Sequence, residues 1–143
     1  MRKVSHFTRE PLKVIKKYSD EELDRKYEVE DDFQREAIRF IYCLVDPIEL
    51  IEIASIPGGS ARLLLHLAAK LKLNGVRAGV SDLLLLWRNR GVAFIELKAS
   101  KGSTSPAQDE FSEYLTLTNH RGCVCKTLRE IKQFLSTLQM KLR

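Results

Sequence analysis

Residues 79–108 read GVSDLLLLWRNRGVAFIELKASKGSTSPAQ, and this stretch decides the fold of the chain. Two apolar runs, 83–87 and 92–97, flank the short polar turn 88–91. Apolar runs of this length around a turn that contains Gly and Asn are typical of a β-hairpin. The stretch therefore predicts two antiparallel strands that are joined by a tight connection.

The pairing of these strands brings charged residues together. A hairpin symmetric about Asn89 places Asp82 directly opposite Glu96, with their Cβ atoms about 5 Å apart on one face. Side chains alternate along a strand, so Lys98 shares that face with Glu96. The prediction depends on the register, because a slip of one residue would turn the side chains of one strand to the other face.

Two carboxylates held together in apolar surroundings repel each other, and one gains a proton unless a cation lies between them. Carboxylate oxygens in this arrangement suit Mg²⁺ or Mn²⁺. Lys98 beside the pair could stabilise the charge of a phosphate or orient a water. The alternative is a surface hairpin in which Lys98 simply forms a salt bridge with one of the acids.

Four short motifs lie along the stretch: Gly79-x-x-Asp82, Glu96-Leu97-Lys98-Ala99, Gly102 and Ser105-Pro106-x-Gln108. As a set they resemble the VRR-NUC domain, a branch of the PD-(D/E)XK nucleases. That family usually has Pro directly before its Asp, whereas this chain has Ser81, which is not a ligand position. The resemblance extends from about residue 30 to about residue 138.

The resemblance implies a site and a reaction. Asp82 and Glu96 would hold Mg²⁺ or Mn²⁺ together with the backbone carbonyl of Leu97. Lys98 would orient the nucleophile or stabilise the transition state, and Gln108 would position substrate or catalytic groups. The implied reaction is hydrolysis of phosphodiester bonds in DNA.

A helix is predicted over residues 30–45, where apolar residues recur at three- and four-residue steps before Pro47. Its opening, Glu30-x-x-Phe33-Gln34, resembles the first signature of VRR-NUC domains, in which a helical Glu completes the acidic cluster. The alternative for Glu30 is that acids gather in a first helical turn to complement the helix dipole.

Three residues are candidates for contacts with nucleic acid. Arg77 lies in the loop before the hairpin and binds a phosphate or is simply solvated. Lys101 lies in the small-residue loop after Lys98. Ser105 is the predicted N-cap of a helix that runs to about residue 119, and the free N–H groups of that helix start form a phosphate cradle with Lys101.

The remaining segments complete an α/β domain, a mixed β-sheet flanked by helices that matches the PD-(D/E)XK restriction-endonuclease-like core. We expect strands at 50–56 and 123–127, a helix at 61–73 and a last helix at 128–138. In the helix after Ser105, the residues expected to face the core are Phe111, Tyr114, Leu115 and Thr118.

The helix at 61–73 is apolar nearly all round, so we expect it to be buried on more than one side. One side would pack on the sheet and the other on a second protomer, which predicts a homodimer. The alternative is that the charged leader, residues 1–27, folds over this helix within one chain. The predicted domain is 28–143, and Ser19 is expected to cap a short helix within the leader.

Composition limits the possible functions. The 143 residues form one domain, and the net charge of +5 is uneven. Residues 1–32 contain eight Lys/Arg and nine Asp/Glu, whereas residues 33–143 contain sixteen and ten. The predicted domain is therefore basic, as a phosphate-binding protein needs.

The sequence has neither a membrane span nor a signal peptide, so we expect a protein of the cytoplasm of a bacterial or phage-infected cell, with no membrane partner.

Cys43, Cys123 and Cys125 form neither an even disulfide framework nor a metal motif. We expect buried free thiols in a reducing compartment, with Cys123 and Cys125 facing opposite ways.

These observations predict a Mg²⁺- or Mn²⁺-dependent DNA endonuclease. Its expected substrate is branched, junction or flap DNA in replication or repair, because no segment resembles an element that reads bases. Two alternatives remain open. One is a nucleic-acid-binding module of the same fold that lacks catalysis, and the other is an assembly protein that uses the leucine-rich helix.

Overall fold

A computed structural model of the protein describes residues 15–56, 70, 73–75 and 77–143. Its elements in chain order are α1 (Asp20–Asp24), α2 (Glu30–Leu44), a 3₁₀ turn (Pro47–Glu49), β1 (Glu52–Ser55), β2 (Leu83–Trp87), β3 (Gly91–Leu97), α3 (Pro106–Leu117), β4 (Arg121–Cys125) and α4 (Leu128–Ser136). The predicted helix at 61–73 lies outside the described residues apart from Lys70 and Leu73, and so do leader residues 1–14.

The four strands form one mixed sheet in the order β1-β2-β3-β4. β1, β2 and β3 are antiparallel neighbours, and β4 lies parallel to β3. In the hairpin, Leu83 pairs with Ile95 and Trp87 pairs with Gly91, so the register is symmetric about Asn89. The predicted pairing is therefore confirmed, and it continues one step further to set Asp82 opposite Glu96.

One face of the sheet and the helices α2 and α4 form the hydrophobic core. The inward residues of β2 and β3 alternate along each strand and are fully buried, because every second side chain points to this face. They are Leu83, Leu85, Ala93, Ile95 and Leu97. The helices add the buried side chains Phe33, Ala37, Ile41, Leu128, Ile131 and Leu135. Each large apolar side chain buried here contributes about 1.5–3 kcal/mol to stability.

The second half of the leader packs on this core. α1 begins at Ser19, whose hydroxyl caps the Glu22 N–H, and this confirms the predicted cap. Leu23 of α1 is buried in the core. The Tyr27 ring stacks on Phe33 of α2 with ring centroids 4.8 Å apart. The segment from α1 to Tyr27 is thus part of the folded domain, and two of its side chains contribute to the core.

Two predictions about α3 were wrong. Phe111 and Leu115 are buried, but Tyr114 and Thr118 are exposed. The stripe of α3 that meets the sheet is only wide enough for the first pair. Tyr114 lies about 60° around the helix from Phe111, since three residues fall short of a full turn. Thr118 is the C-cap residue just beyond the end of α3.

The prediction for the two cysteines of β4 was also wrong. Residues two apart on a strand point to the same face. The sulfur atoms of Cys123 and Cys125 lie 3.2 Å apart, and Cys125 is buried in the core. Both are free thiols, as predicted, and so is buried Cys43. None of the helices in the described part of the chain has the length and apolarity that crossing a bilayer requires.

Candidate active site

The end of the hairpin positions the predicted acids. Asp82 directly precedes β2, and Glu96 and Lys98 lie at the end of β3. The Leu97 N–H donates a hydrogen bond of 2.8 Å to Oδ2 of Asp82. This contact ties the Asp82 carboxylate to β3 just where the ladder between the strands ends, so the backbone itself orients the first acid.

Glu96 and Lys98 are buried although both side chains are polar. Glu96 is 5% exposed and Lys98 is 7% exposed. Nζ of Lys98 lies 3.1 Å from Oε1 of Glu96, and Nε2 of Gln108 donates to the same oxygen at 2.6 Å. Oε2 of Glu96 is buried without a hydrogen-bond partner, and it is the only such side-chain atom in the described part of the chain. The predicted surface salt bridge therefore does not describe this site, because the pair lies inside the protein.

The environment raises the pKa of both acids. Burial, followed by the charge of Asp82, raises the pKa of Glu96 to about 7, although Lys98 opposes the change. Burial also raises the pKa of Asp82, although the Leu97 N–H opposes it. The negative charge of Glu30 adds to the effect on Asp82. Near neutral pH the pair is therefore partly protonated, and a nearby cation would displace that proton.

The donor atoms of the pair fit a hard divalent cation. Both side chains offer carboxylate oxygens, which Mg²⁺ and Mn²⁺ prefer, and the orphaned Oε2 of Glu96 lacks a positive partner. Among the described residues, no group of three or more His, Cys, Asp or Glu side chains is arranged so that it could hold a metal ion. A further protein ligand would therefore be a backbone oxygen. Since the N–H and C=O of one strand residue point to the same side, the Leu97 carbonyl faces the Asp82 side.

Glu30 begins α2 and lies at the rim of the site. Its Oε1 is 3.9 Å from Nζ of Lys98, and its side chain is half exposed. No side chain caps the helix at this end, because the N-cap residue is Val29. The structure thus brings Glu30 to Lys98, and no hydrogen bond joins it to either acid of the pair.

The start of α3 fixes Gln108. Ser105 is the N-cap, as predicted, and Oε1 of Gln108 accepts from the Ser105 N–H at 2.9 Å while its amide nitrogen donates to Glu96. The two bonds hold both ends of the amide. Gly79 packs against this turn with φ +85°, and a Cβ there would overlap the backbone of Ala107. Gly79 is needed for this close approach, since other residues rarely adopt that φ.

The residues predicted to contact nucleic acid lie in different surroundings. The Arg77 guanidinium lies over Tyr114 and over Phe111, and it is 4.0 Å from Glu110, all three on α3. Lys101 is exposed in the loop after Lys98. Oγ of Ser105 accepts from the Gln108 N–H, so one donor of the predicted phosphate cradle is already used.

A cavity of about 110 Å³ lies beside Glu96, between α3 and the sheet. Its walls include Ser81, Thr104 and Ser112. Ser81 is buried, and it occupies the position at which the VRR-NUC motif usually has Pro. Ser81 was not predicted to line the site. The only feature of the sequence that points to this role is its position directly before Asp82.

The sequence model of the VRR-NUC domain family matches residues 49–127, which is more than half of the chain. The chain belongs to the VRR-NUC domain family. A solved structure described as a VRR-NUC domain has a TM-score of 0.51 and 16% sequence identity to it, over 75% of this chain and 94% of that one. At this identity the likeness shows a shared fold. No curated protein matches the chain.

The VRR-NUC match confirms the predicted family and the α/β fold with a PD-(D/E)XK-like core. It gives the domain a nuclease-type fold. The matched residues include Asp82, Glu96, Lys98 and Gln108, whereas Glu30 lies outside them.

Proposed function

We propose that this VRR-NUC domain is a Mg²⁺- or Mn²⁺-dependent endonuclease that hydrolyses phosphodiester bonds in DNA. The observation that carries the proposal is that half-buried Asp82 lies with buried Glu96 and Lys98 on one face at the end of the hairpin. Buried charges are costly, and proteins keep such groups mostly where they act.

Each residue has a distinct part in this proposal. A divalent cation held by Asp82, Glu96 and the Leu97 carbonyl would make a water nucleophilic near neutral pH and neutralise the scissile phosphate. Lys98 would donate to a phosphate oxygen or orient the attacking water. Gln108 would hold the Glu96 carboxylate through its 2.6 Å bond. The Leu97 N–H would do the same for Asp82.

We further propose that the enzyme acts on branched, junction or flap DNA in replication or repair. The described residues form helices and strands that mostly build the core or the site wall, and no described element projects as a base-reading helix or arm. Contacts that position DNA without reading bases go to the phosphate backbone. We propose that the enzyme acts in the cytoplasm of a bacterial or phage-infected cell, where such DNA is accessible.

We also propose a homodimer, since two sites around a branched substrate would need two protomers. The apolar segment 61–73, for which the sequence predicts a helix, is the expected interface. Leu73 at its end is 88% exposed. Light scattering at micromolar concentration measures the outcome. A 16.4 kDa monomer that cleaves a four-way junction would rule out the dimer.

The test of function is a cleavage assay with a four-way DNA junction and a linear duplex of equal length. We expect cleavage with Mg²⁺ or Mn²⁺, faster on the junction, and none with EDTA. A protein that binds the junction but cleaves neither DNA with either metal would instead be a binding module. A protein that does not bind DNA at low salt would favour an assembly role.

A further inference from the structure

The loop 99–102, which follows Lys98, is held by two segments that are distant in sequence. The Ser100 N–H donates to the carbonyl of Tyr27 at 2.8 Å. Nζ of Lys126, just after β4, donates to the carbonyl of Ser100 at 3.2 Å. These bonds bring the leader next to the loop that carries Lys101.

The leader is anchored on both sides of residues 25 and 26. On one side, the Arg129 guanidinium of α4 binds Asp20 and Asp24 of α1. On the other, Tyr27 is buried, stacks on the Phe33 ring and makes the backbone bond to Ser100. The two residues between these anchors are therefore held close to the loop.

Arg25, Lys26 and Lys101 are exposed, and none of the three forms an ion pair within the described residues. The Arg25 guanidinium lies over the Tyr27 ring at 5.2 Å. Arg129 binds both Asp20 and Asp24 of α1. The other acids close to these cations in sequence include Glu28, which is exposed, and Glu30, whose Oε1 lies 3.9 Å from Nζ of Lys98. Three cations that have no ion-pair partner among the described residues therefore flank the backbone bond between Tyr27 and Ser100, and Glu30 and Lys98 lie a few residues away in the same two segments.

We propose that Arg25, Lys26 and Lys101 form a cationic rim that binds the phosphodiester backbone of DNA beside the acid pair, with Lys126 positioning the loop. The inference rests on the proposed function for the identity of the substrate. Cations that neutralise phosphates release counterions and add affinity that depends on salt but not on base sequence. Arg25 and Lys26 lie outside residues 49–127, so this part of the rim is not part of the matched VRR-NUC segment.

The experiment measures binding of a fluorescently labelled four-way DNA junction, in EDTA, from 50 to 300 mM salt. The Arg25→Gln/Lys26→Gln variant is compared with Arg88→Gln/Arg90→Gln, which removes the same charge. Arg88 and Arg90 lie in the turn at the other end of β3, roughly 20 Å away for a seven-residue strand. Melting temperatures check that both variants fold.

We expect the first variant to lose roughly tenfold in affinity at 100 mM salt, and the slope of log K against log[salt] to become less negative by about 1.8, for two phosphate contacts. The control should keep the wild-type slope. The Arg25→Lys/Lys26→Arg variant should keep most of the wild-type binding, because it keeps both positive charges. With Mg²⁺ and a range of DNA concentrations up to saturation, the first variant should have a raised KM and an unchanged kcat.

The outcomes separate the two proposals. An equal loss in both variants, or an unchanged slope in the first, overturns the rim even if the protein cleaves DNA. The expected change of slope in a protein that cleaves no DNA supports the rim and refutes the nuclease proposal. A wild-type protein that does not bind the junction at 50 mM salt overturns the rim.

Discussion

At its C-terminal end, β3 is buried on both faces, and the two faces are chemically opposite there. Ile95 and Leu97 face α2 and α4 and are 0–1% exposed. Glu96 and Lys98 alternate with them, face α3 and are almost as buried. One face lowers the free energy of the fold by burying apolar surface, whereas burying charges on the other opposes folding unless they are paired. Stability and the proposed chemistry are therefore separated by a single residue step along one strand.

The largest expected effect comes from the polar face, which carries Asp82, Glu96 and Lys98. Asp82→Ala or Glu96→Ala should reduce cleavage about a thousandfold or more, because the cation and the water it activates lose a ligand. The melting temperature of Asp82→Ala in EDTA should stay equal or rise, since repulsion in the pair is relieved. Single-turnover cleavage and thermal melting measure both. Full activity in either variant would remove the residue from the site.

The apolar face should respond in the opposite way. Ile95→Ala should cost about 2–5 kcal/mol of unfolding free energy, because a fully buried side chain leaves a cavity. Leu86→Ala on neighbouring β2 removes a side chain that is 41% exposed, and should cost about 1 kcal/mol or less. Urea denaturation measures the difference. Equal costs would mean that the core does not lie where the structure places it.

Gly79 tests how closely the polar face depends on α3. Gly79→Ala should reduce cleavage roughly tenfold to a hundredfold, because the added Cβ overlaps Ala107 and displaces Gln108. Gly75→Ala is the matched control: Gly75 also has a positive φ, but a Cβ there meets nothing within 4 Å. The control should lose a similar amount of unfolding free energy, because a residue other than Gly is strained at a positive φ, but it should keep its activity. Equal activity in the two variants would contradict the packing argument.

The polar face should also respond to pH. The pKa of Glu96 is raised by burial and by Asp82 to about 7, above the ordinary value of 4.5. A carboxyl whose pKa is higher in the folded state than in the unfolded state stabilises the fold when it is protonated. That contribution is fully present below the pKa of the unfolded state, and it is lost as pH rises through the pKa of the folded state. In EDTA, the wild type should therefore lose stability from about pH 4.5 to 7 relative to Glu96→Gln. Parallel melting curves for the two proteins over that range would contradict it.

The smallest effect is expected at Glu30. If it supports the site through Lys98, Glu30→Gln should raise the Mg²⁺ concentration for half-maximal cleavage by a few-fold. Unfolding free energy should change by less than about 1 kcal/mol, as for a residue that only complements the helix dipole. Asp31→Asn, in the same exposed turn, is the control. A titration identical to wild type would make Glu30 a helix-start residue alone.

The fold of the hairpin could be predicted because local signals agreed. The apolar runs on both sides of Asn89 permitted one register that buries Leu83 and Ile95 on the same face. Ser105 and Pro106 gave the start of α3, since a capping residue followed by Pro is a local signal. Asp82 and Glu96 followed from that register, which is why the core of the candidate site was accessible from sequence.

Other features depend on contacts between distant segments. Leu23 and Tyr27 are too sparse to give the leader a helical period, and their burial depends on Phe33 and α4. The exposure of Tyr114 depends on how much of α3 the sheet covers, which no single segment encodes. The amide of Gln108 reaches Glu96 only because the helix start lies against β3.

The contact between α2 and α4 has a consequence for the order of synthesis. The apolar side chains of α2 include Phe33 and Ile41, and the matching ones of α4 include Ile131 and Leu135, close to the C-terminus. At translation rates of about 5–20 residues per second, α2 would wait on the order of ten seconds for α4 to be made. During that time its apolar stripe is available to chaperones, and Asp20 and Asp24 have no arginine to bind. Completion of this domain is therefore a late event in its synthesis, because it waits for α4.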